Sequence, residues 1–99
     1  MPGAHRNNDK RSDSTQSTTI VSNQSTVFVN NKLWAVEGDM ESDGMGQLIS
    51  KSAGTVFVNG IKIIVEGTDD ASPDPLCALL GGEHCHPHPN EGSSDVSAY

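Results

Sequence analysis

A fifteen-residue stretch occurs twice in this chain, and no other feature limits the architecture as strongly. Residues 25–39 read STVFVNNKLWAVEGD and residues 54–68 read GTVFVNGIKIIVEGT, an offset of 29 with eight of fifteen positions identical. Each copy is patterned as a β-hairpin. Thr26 to Val29 is β-prone, Asn30-Asn31 turns, and Leu33 to Val36 returns before the Gly38-Asp39 exit. In the second copy Thr55 to Val58 goes up, Asn59-Gly60 turns and Ile61 to Val65 comes back. Asn-Gly between apolar runs is the strongest local hairpin signal, because both turn residues must accept positive φ. A single hairpin cannot bury its apolar face, so repeated hairpins are expected to close on one another.

A third, degraded copy is suggested at the start, where Gly3-Ala4-His5-Arg6-Asn7-Asn8-Asp9 aligns with Leu33-Trp34-Ala35-Val36-Glu37-Gly38-Asp39. It reads as the tail of a repeat whose first strand is missing. Polar excursions separate the copies: residues 40–52 after the first and residues 69–99 after the second. The latter holds Pro73, Pro75, Gly81, Gly82, Pro87 and Pro89, which exclude a long helix or a central strand. The expected fold is therefore all-β: one small domain spanning residues 1–99, a cone or pyramid of repeated β-hairpins.

The chain has 99 residues, 33% of them apolar, and a formal charge of −7. So small a core often needs a metal, a crosslink or a partner surface. The acidity argues against nucleic acid, which requires clustered Lys and Arg, and against stable binding to an anionic membrane. Neither a membrane-spanning run nor a signal-peptide pattern is evident, so synthesis in a cytoplasm is expected.

The densest chemistry lies in residues 69–90. Cys77 and the run His84-Cys85-His86-Pro87-His88 place five soft or borderline donors within twelve residues. Without a secretory signal a disulfide is disfavoured, and the adjoining histidines favour a metal over a crosslink. Four Cys and His ligands make a closed structural zinc site, with iron as the other option. In an extended segment His84 and His86 share a side and Cys85 faces away unless a turn reorients it. Gly81-Gly82 is placed to fold Cys77 back. The expected ligands are Cys77, His84, Cys85 and His86, and His88, between two prolines, is expected outside the site. Asp13 and Asp43 read as solvated turn carboxylates and His5 as a packed histidine. No catalytic set is assigned, since a closed site leaves no position for substrate. Glu37 and Glu66, equivalent in the two copies, read as exposed strand ends.

The repeated core VFVNNKLWAVEGD and VFVNGIKIIVEGT, with the N-terminal AHRNND, resembles the PAAR-repeat proteins over about residues 3–88. The PAAR tetrapeptide itself is replaced by Leu33-Trp34-Ala35-Val36 and Lys62-Ile63-Ile64-Val65, which looks like the contractile-phage branch. The resemblance implies a cone with a metal near its apex and a broad base that caps a trimeric β-helical spike. It implies a non-catalytic, membrane-piercing tip, one monomer on a three-fold partner, in the central spike of a virion tail baseplate. Val27, Val29, Leu33, Trp34, Val56, Val58, Ile61 and Ile63 are the pool for the base. The family's usual histidine after the second exit is replaced by Asp43, and Asp13-Ser14 stand where His or Cys is usual. Ligation is therefore expected to move to the C-terminal segment or to retain Asp43. The alternatives are the tip of a type VI secretion spike that recruits effectors and, from another class, a small metal-binding or metal-dependent hydrolytic protein.

Overall fold

The computed structural model describes residues 2–12, 18–42, 45–51, 56–75 and 77–98. It is all-β apart from two short helical turns. The strands are β1 (Thr19–Ile20), β2 (Phe28–Val29), β3 (Lys32–Leu33), β4 (Met40–Glu41), β5 (Leu48–Ile49), β6 (Phe57–Val58), β7 (Ile61–Lys62) and β8 (Asp70–Ala71). A four-residue helix α1 (Cys77–Leu80) and a 3-10 turn (Gly82–Cys85) follow. The body measures 35 × 23 × 23 Å, with two equal short axes.

Both hairpins form as the sequence expects. Strands β2 and β3 pair with Phe28 opposite Leu33, and β6 and β7 pair with Phe57 opposite Lys62. Their turns place Asn30, Asn31, Asn59 and Gly60 at φ of 52°, 67°, 53° and 81°, a region that Asn and Gly tolerate best.

The N-terminal segment is a true third copy, and the backbone shows it. His5 N–H donates to the Ile64 carbonyl (3.1 Å), Ile64 N–H to Ala35 (3.0 Å) and Ala35 N–H to His5 (2.8 Å). Three equivalent residues thus close a ring of hydrogen bonds. The same triplication recurs two residues along the chain, where Asn7, Glu37 and Glu66 donate to Leu33, Lys62 and Gly3. It recurs again in the bridges Ala4–Val65, Arg6–Trp34 and Val36–Ile63. The architecture is a pseudo-three-fold prism made from one chain.

The missing first strand of the third copy comes from the other end of the molecule. Trp34 and Ile63 donate to Val27 and Val56 within their hairpins, and Ala4 donates to Val96. Ser97 lies opposite Gly3, as Phe28 does Leu33. The third hairpin is therefore built from the two chain ends, with no turn joining them. The segment leading into its C-terminal strand also packs closely on Gly3, where an added Cβ would clash with the Ser93 carbonyl oxygen.

The excursions close a second ring. With the segment after the N-terminal copy, residues 10–24, as the first excursion, residues 40–52 as the second and residues 69–99 as the third, the end of the first pairs with the start of the second (β1 with β4), and the end of the second with the start of the third (β5 with β8). The end of the third bridges back at Pro89 to Arg11.

Each copy enters its excursion through a tight exit. Asn8, Gly38 and Gly67 occupy its turn with φ of 70°, 96° and 78°. The following carboxylate caps the bend: Asp9 Oδ2 accepts from the Arg6 amide (2.9 Å), Asp39 Oδ2 from Val36 (2.9 Å) and Asp69 Oδ2 from Val65 (2.8 Å). All three are buried, and the hydrogen bonds offset the desolvation that an unpaired buried carboxylate would suffer. This explains the Asp at positions 9, 39 and 69 in terms of backbone satisfaction.

Two apolar clusters fill the prism. Val21, Ala35, Leu48, Ile64 and Ala71 form one, and Val36, Val58, Ile63, Val65 and Ala98 form the other. Fully burying each Val or Ile contributes roughly 1.5–3 kcal/mol. Ala98 in the second cluster shows that the C-terminal strand belongs to the core.

Candidate functional site at the C-terminal segment and the hairpins

The third excursion carries the residues with ligating chemistry. Gly81 and Gly82, at φ of 63° and 58°, turn the chain back after α1. This reversal brings Cys77 and Cys85 to a Cα separation of 4.7 Å, and they are joined in a disulfide. The expectation that a disulfide is disfavoured is corrected here. The glycine turn foreseen from the sequence delivers Cys77 to Cys85 itself, and in this form neither sulfur is a thiolate ligand.

The histidines diverge. His84 is buried and its Nδ1 donates to Asp74 Oδ2 at 2.9 Å. The Asp74 amide donates to the His84 carbonyl at 2.8 Å, so the two residues clamp the segment reciprocally. His86 is exposed, its Nδ1 3.8 Å from Asp70 Oδ1. His88 Nδ1 is hydrogen-bonded with the Ser12 hydroxyl at 2.9 Å. Among the described residues no three His, Cys, Asp or Glu side chains converge as a metal site. With the disulfide closed, the donors Cys77, His84, Cys85 and His86 therefore do not fit a four-ligand zinc or iron centre. Asp13 and Asp43 lie outside the described residues.

His5 is a core residue. It is fully buried, and burial, the largest cause, lowers its pKa from 6.5 to about 3. Its partners fix the tautomer: Nδ1–H donates to the Glu91 carbonyl, so Nε2 accepts from the Thr19 hydroxyl, each at 2.6 Å. The Thr19 oxygen in turn accepts from Arg11 Nε, and Arg11 Nη1 donates to the Pro87 carbonyl at 2.7 Å. This network, a neutral imidazole joined through Thr19 to the Arg11 cation, ties the first and third excursions together inside the prism.

The hairpins form the second candidate region. Val29, Val58 and Ile63 point inward and are buried. Trp34 is half-buried, with its indole N–H donating to the Ile64 carbonyl at 3.0 Å, so it braces the interior. The exposed large residues are instead Phe28 and Phe57, which the sequence reading did not single out. The strict alternation Phe-out, Val-in along each first strand was the available signal. Asp74 was also missed, because nothing in Pro73-Asp74-Pro75 announces a partner ten residues away.

Comparison with family models, with curated proteins and with solved structures gives no match. The fold and the sites define an architecture: a small all-β chain with internal pseudo-three-fold repetition and a C-terminal segment closed by a disulfide.

Proposed function

We propose that the protein is the non-catalytic tip of a contractile phage tail spike, a PAAR-like cap that sits on the end of a trimeric β-helix and sharpens it. The single observation that carries this reading is the closed ring of His5, Ala35 and Ile64. A monomer with internal three-fold repetition offers three near-equivalent surfaces to a partner with true three-fold symmetry, and symmetry constrains which interfaces close. An asymmetric monomer could match only one subunit at a time. A blunt β-helix also ends in unpaired strand edges, a pairing hazard that a cap removes.

The rest of the structure suits a load-bearing part. Among the described residues, short strands closed into two rings leave no long free edge, and the third excursion is held by a covalent crosslink. A structural disulfide accords with a particle that operates outside the reducing cytoplasm, as virion surfaces do. On this reading the chain is made in a host cytoplasm and ends in the baseplate spike of the virion.

Electron cryomicroscopy of the chain bound to a homotrimeric β-helical spike fragment tests the proposal. One copy on the blunt end, in a reconstruction without imposed symmetry, is the expected result. Binding along the sides, or three copies per end, would contradict it.

A further inference from the structure

The three hairpins are equivalent in backbone but not in surface. Phe28, Phe57 and Ser97 occupy the same register position, opposite Leu33, Lys62 and Gly3. Phe28 and Phe57 are 59% and 52% exposed, while the residues that follow them, Val29 and Val58, are buried. Ser97 is exposed as well, and its successor Ala98 is buried. The third position thus keeps the geometry and lacks the aromatic ring.

A single exposed phenylalanine needs no explanation. Two at positions related by the ring are a different matter, since each exposes an aromatic side chain of the kind enriched at interface cores. The adjoining turns, Asn30-Asn31 and Asn59-Gly60, are uncharged on a chain of net charge −7. Beside the rings stand Lys62, opposite Phe57, and Asn30, bonded to Arg6 and Asp95, so each ring is an apolar centre with a polar rim, the usual anatomy of a protein interface.

We propose that Phe28 and Phe57 are docking anchors, one third of a turn apart, that seat in two of three identical apolar recesses around the end of a homotrimeric β-structured partner. The third recess faces Ser97 and receives no anchor. This rests on the spike-cap reading and specifies which side chains carry its affinity. The occupant is the three-fold end of the trimer rather than a second copy of this chain, because two anchors on a three-fold ring match a surface repeated three times about an axis.

The test uses immobilised blunt-ended homotrimeric β-helical spike fragments from contractile-tailed phages, with the full chain as analyte and dissociation constants as the readout. Phe28→Ala and Phe57→Ala are each expected to weaken binding by about 30-fold, the scale of an interface hot spot. Ser97→Phe supplies the missing anchor and is expected to tighten binding about 10-fold, a gain that misfolding cannot mimic. Leu79→Ala, an exposed residue of α1 outside the anchor set, is expected to bind as the parent does. If the parent chain binds no fragment, the cap reading falls and the anchors with it. Parent binding that is indifferent to Phe28→Ala, Phe57→Ala and Ser97→Phe overturns the anchors alone. Sedimentation showing a dimer that Phe28→Ala dissolves would assign the phenylalanines to self-association and overturn the proposal.

Discussion

Removing the crosslink of the third excursion, by Cys77→Ala with Cys85→Ala, has a cost that follows from the structure. The disulfide spans a sequence separation of 8. Chain entropy for a loop of that size amounts to about 8 cal/mol/K, or about 2.5 kcal/mol at 25 °C. For 99 residues the melting entropy is about 0.2 kcal/mol/K, so the melting temperature is expected to fall by about 12 °C. That figure holds only if the segment unfolds with the prism. The reciprocal Asp74–His84 clamp and the return of the chain to Arg11 through Pro89 supply that coupling. Differential scanning calorimetry of the double variant, of oxidised parent and of parent in reductant provides the assay. The variant and the reduced parent should melt together, well below the oxidised form. Equal melting of all three would refute the coupling and show that the segment opens independently of the core.

The other predictions concern the ring, the buried histidine and the metal. Gly3→Ala forces a Cβ against the Ser93 carbonyl and is expected to destabilise by about 1–3 kcal/mol in urea titration, as overpacking does; unchanged stability would mean the segment at Ser93 does not pack closely on Gly3. His5 is neutral when folded because its pKa falls to about 3, whereas the unfolded chain takes up a proton below about 6.5. Stability is therefore insensitive to this group above pH 6.5 and is lost as pH falls below it, by about 2 kcal/mol between pH 6.5 and 5. His5→Gln should remove about one proton from the pH slope measured by chemical denaturation, and an unchanged slope would contradict the burial account. Zinc is expected to bind only after the disulfide is reduced, since ligation needs thiolates; elemental analysis after dialysis should find it absent from the oxidised chain, and stoichiometric zinc there would overturn the geometry described for Cys77 and Cys85.

What could be read from the sequence was local. The hairpins are announced by Asn-Gly chemistry and by alternation within a few residues, and they form at the expected places. The tail of the third copy, Gly3 to Asp9, was visible because it lines up with Leu33 to Asp39 and ends on the same Asp. Its partner strand was not, since Val96-Ser97-Ala98 shares almost no side chains with Val27-Phe28-Val29 or Val56-Phe57-Val58. Backbone pairing between chain ends leaves little trace in composition. The crosslink was hidden for another reason. Cys77 and Cys85 sit among histidines, which is how a metal site reads, and only the folded reversal at Gly81-Gly82 shows that the sulfurs meet. His5 illustrates the converse: a histidine in an apolar stretch is a packed one, and the tautomer follows from its neighbours.

The mass of the complex is the most direct test of a one-chain cap on a three-fold spike. Native mass spectrometry of the chain mixed in excess with a homotrimeric β-helical spike fragment should give one bound copy per trimer, with no further addition as concentration rises. Three copies per trimer, or none, would contradict the account.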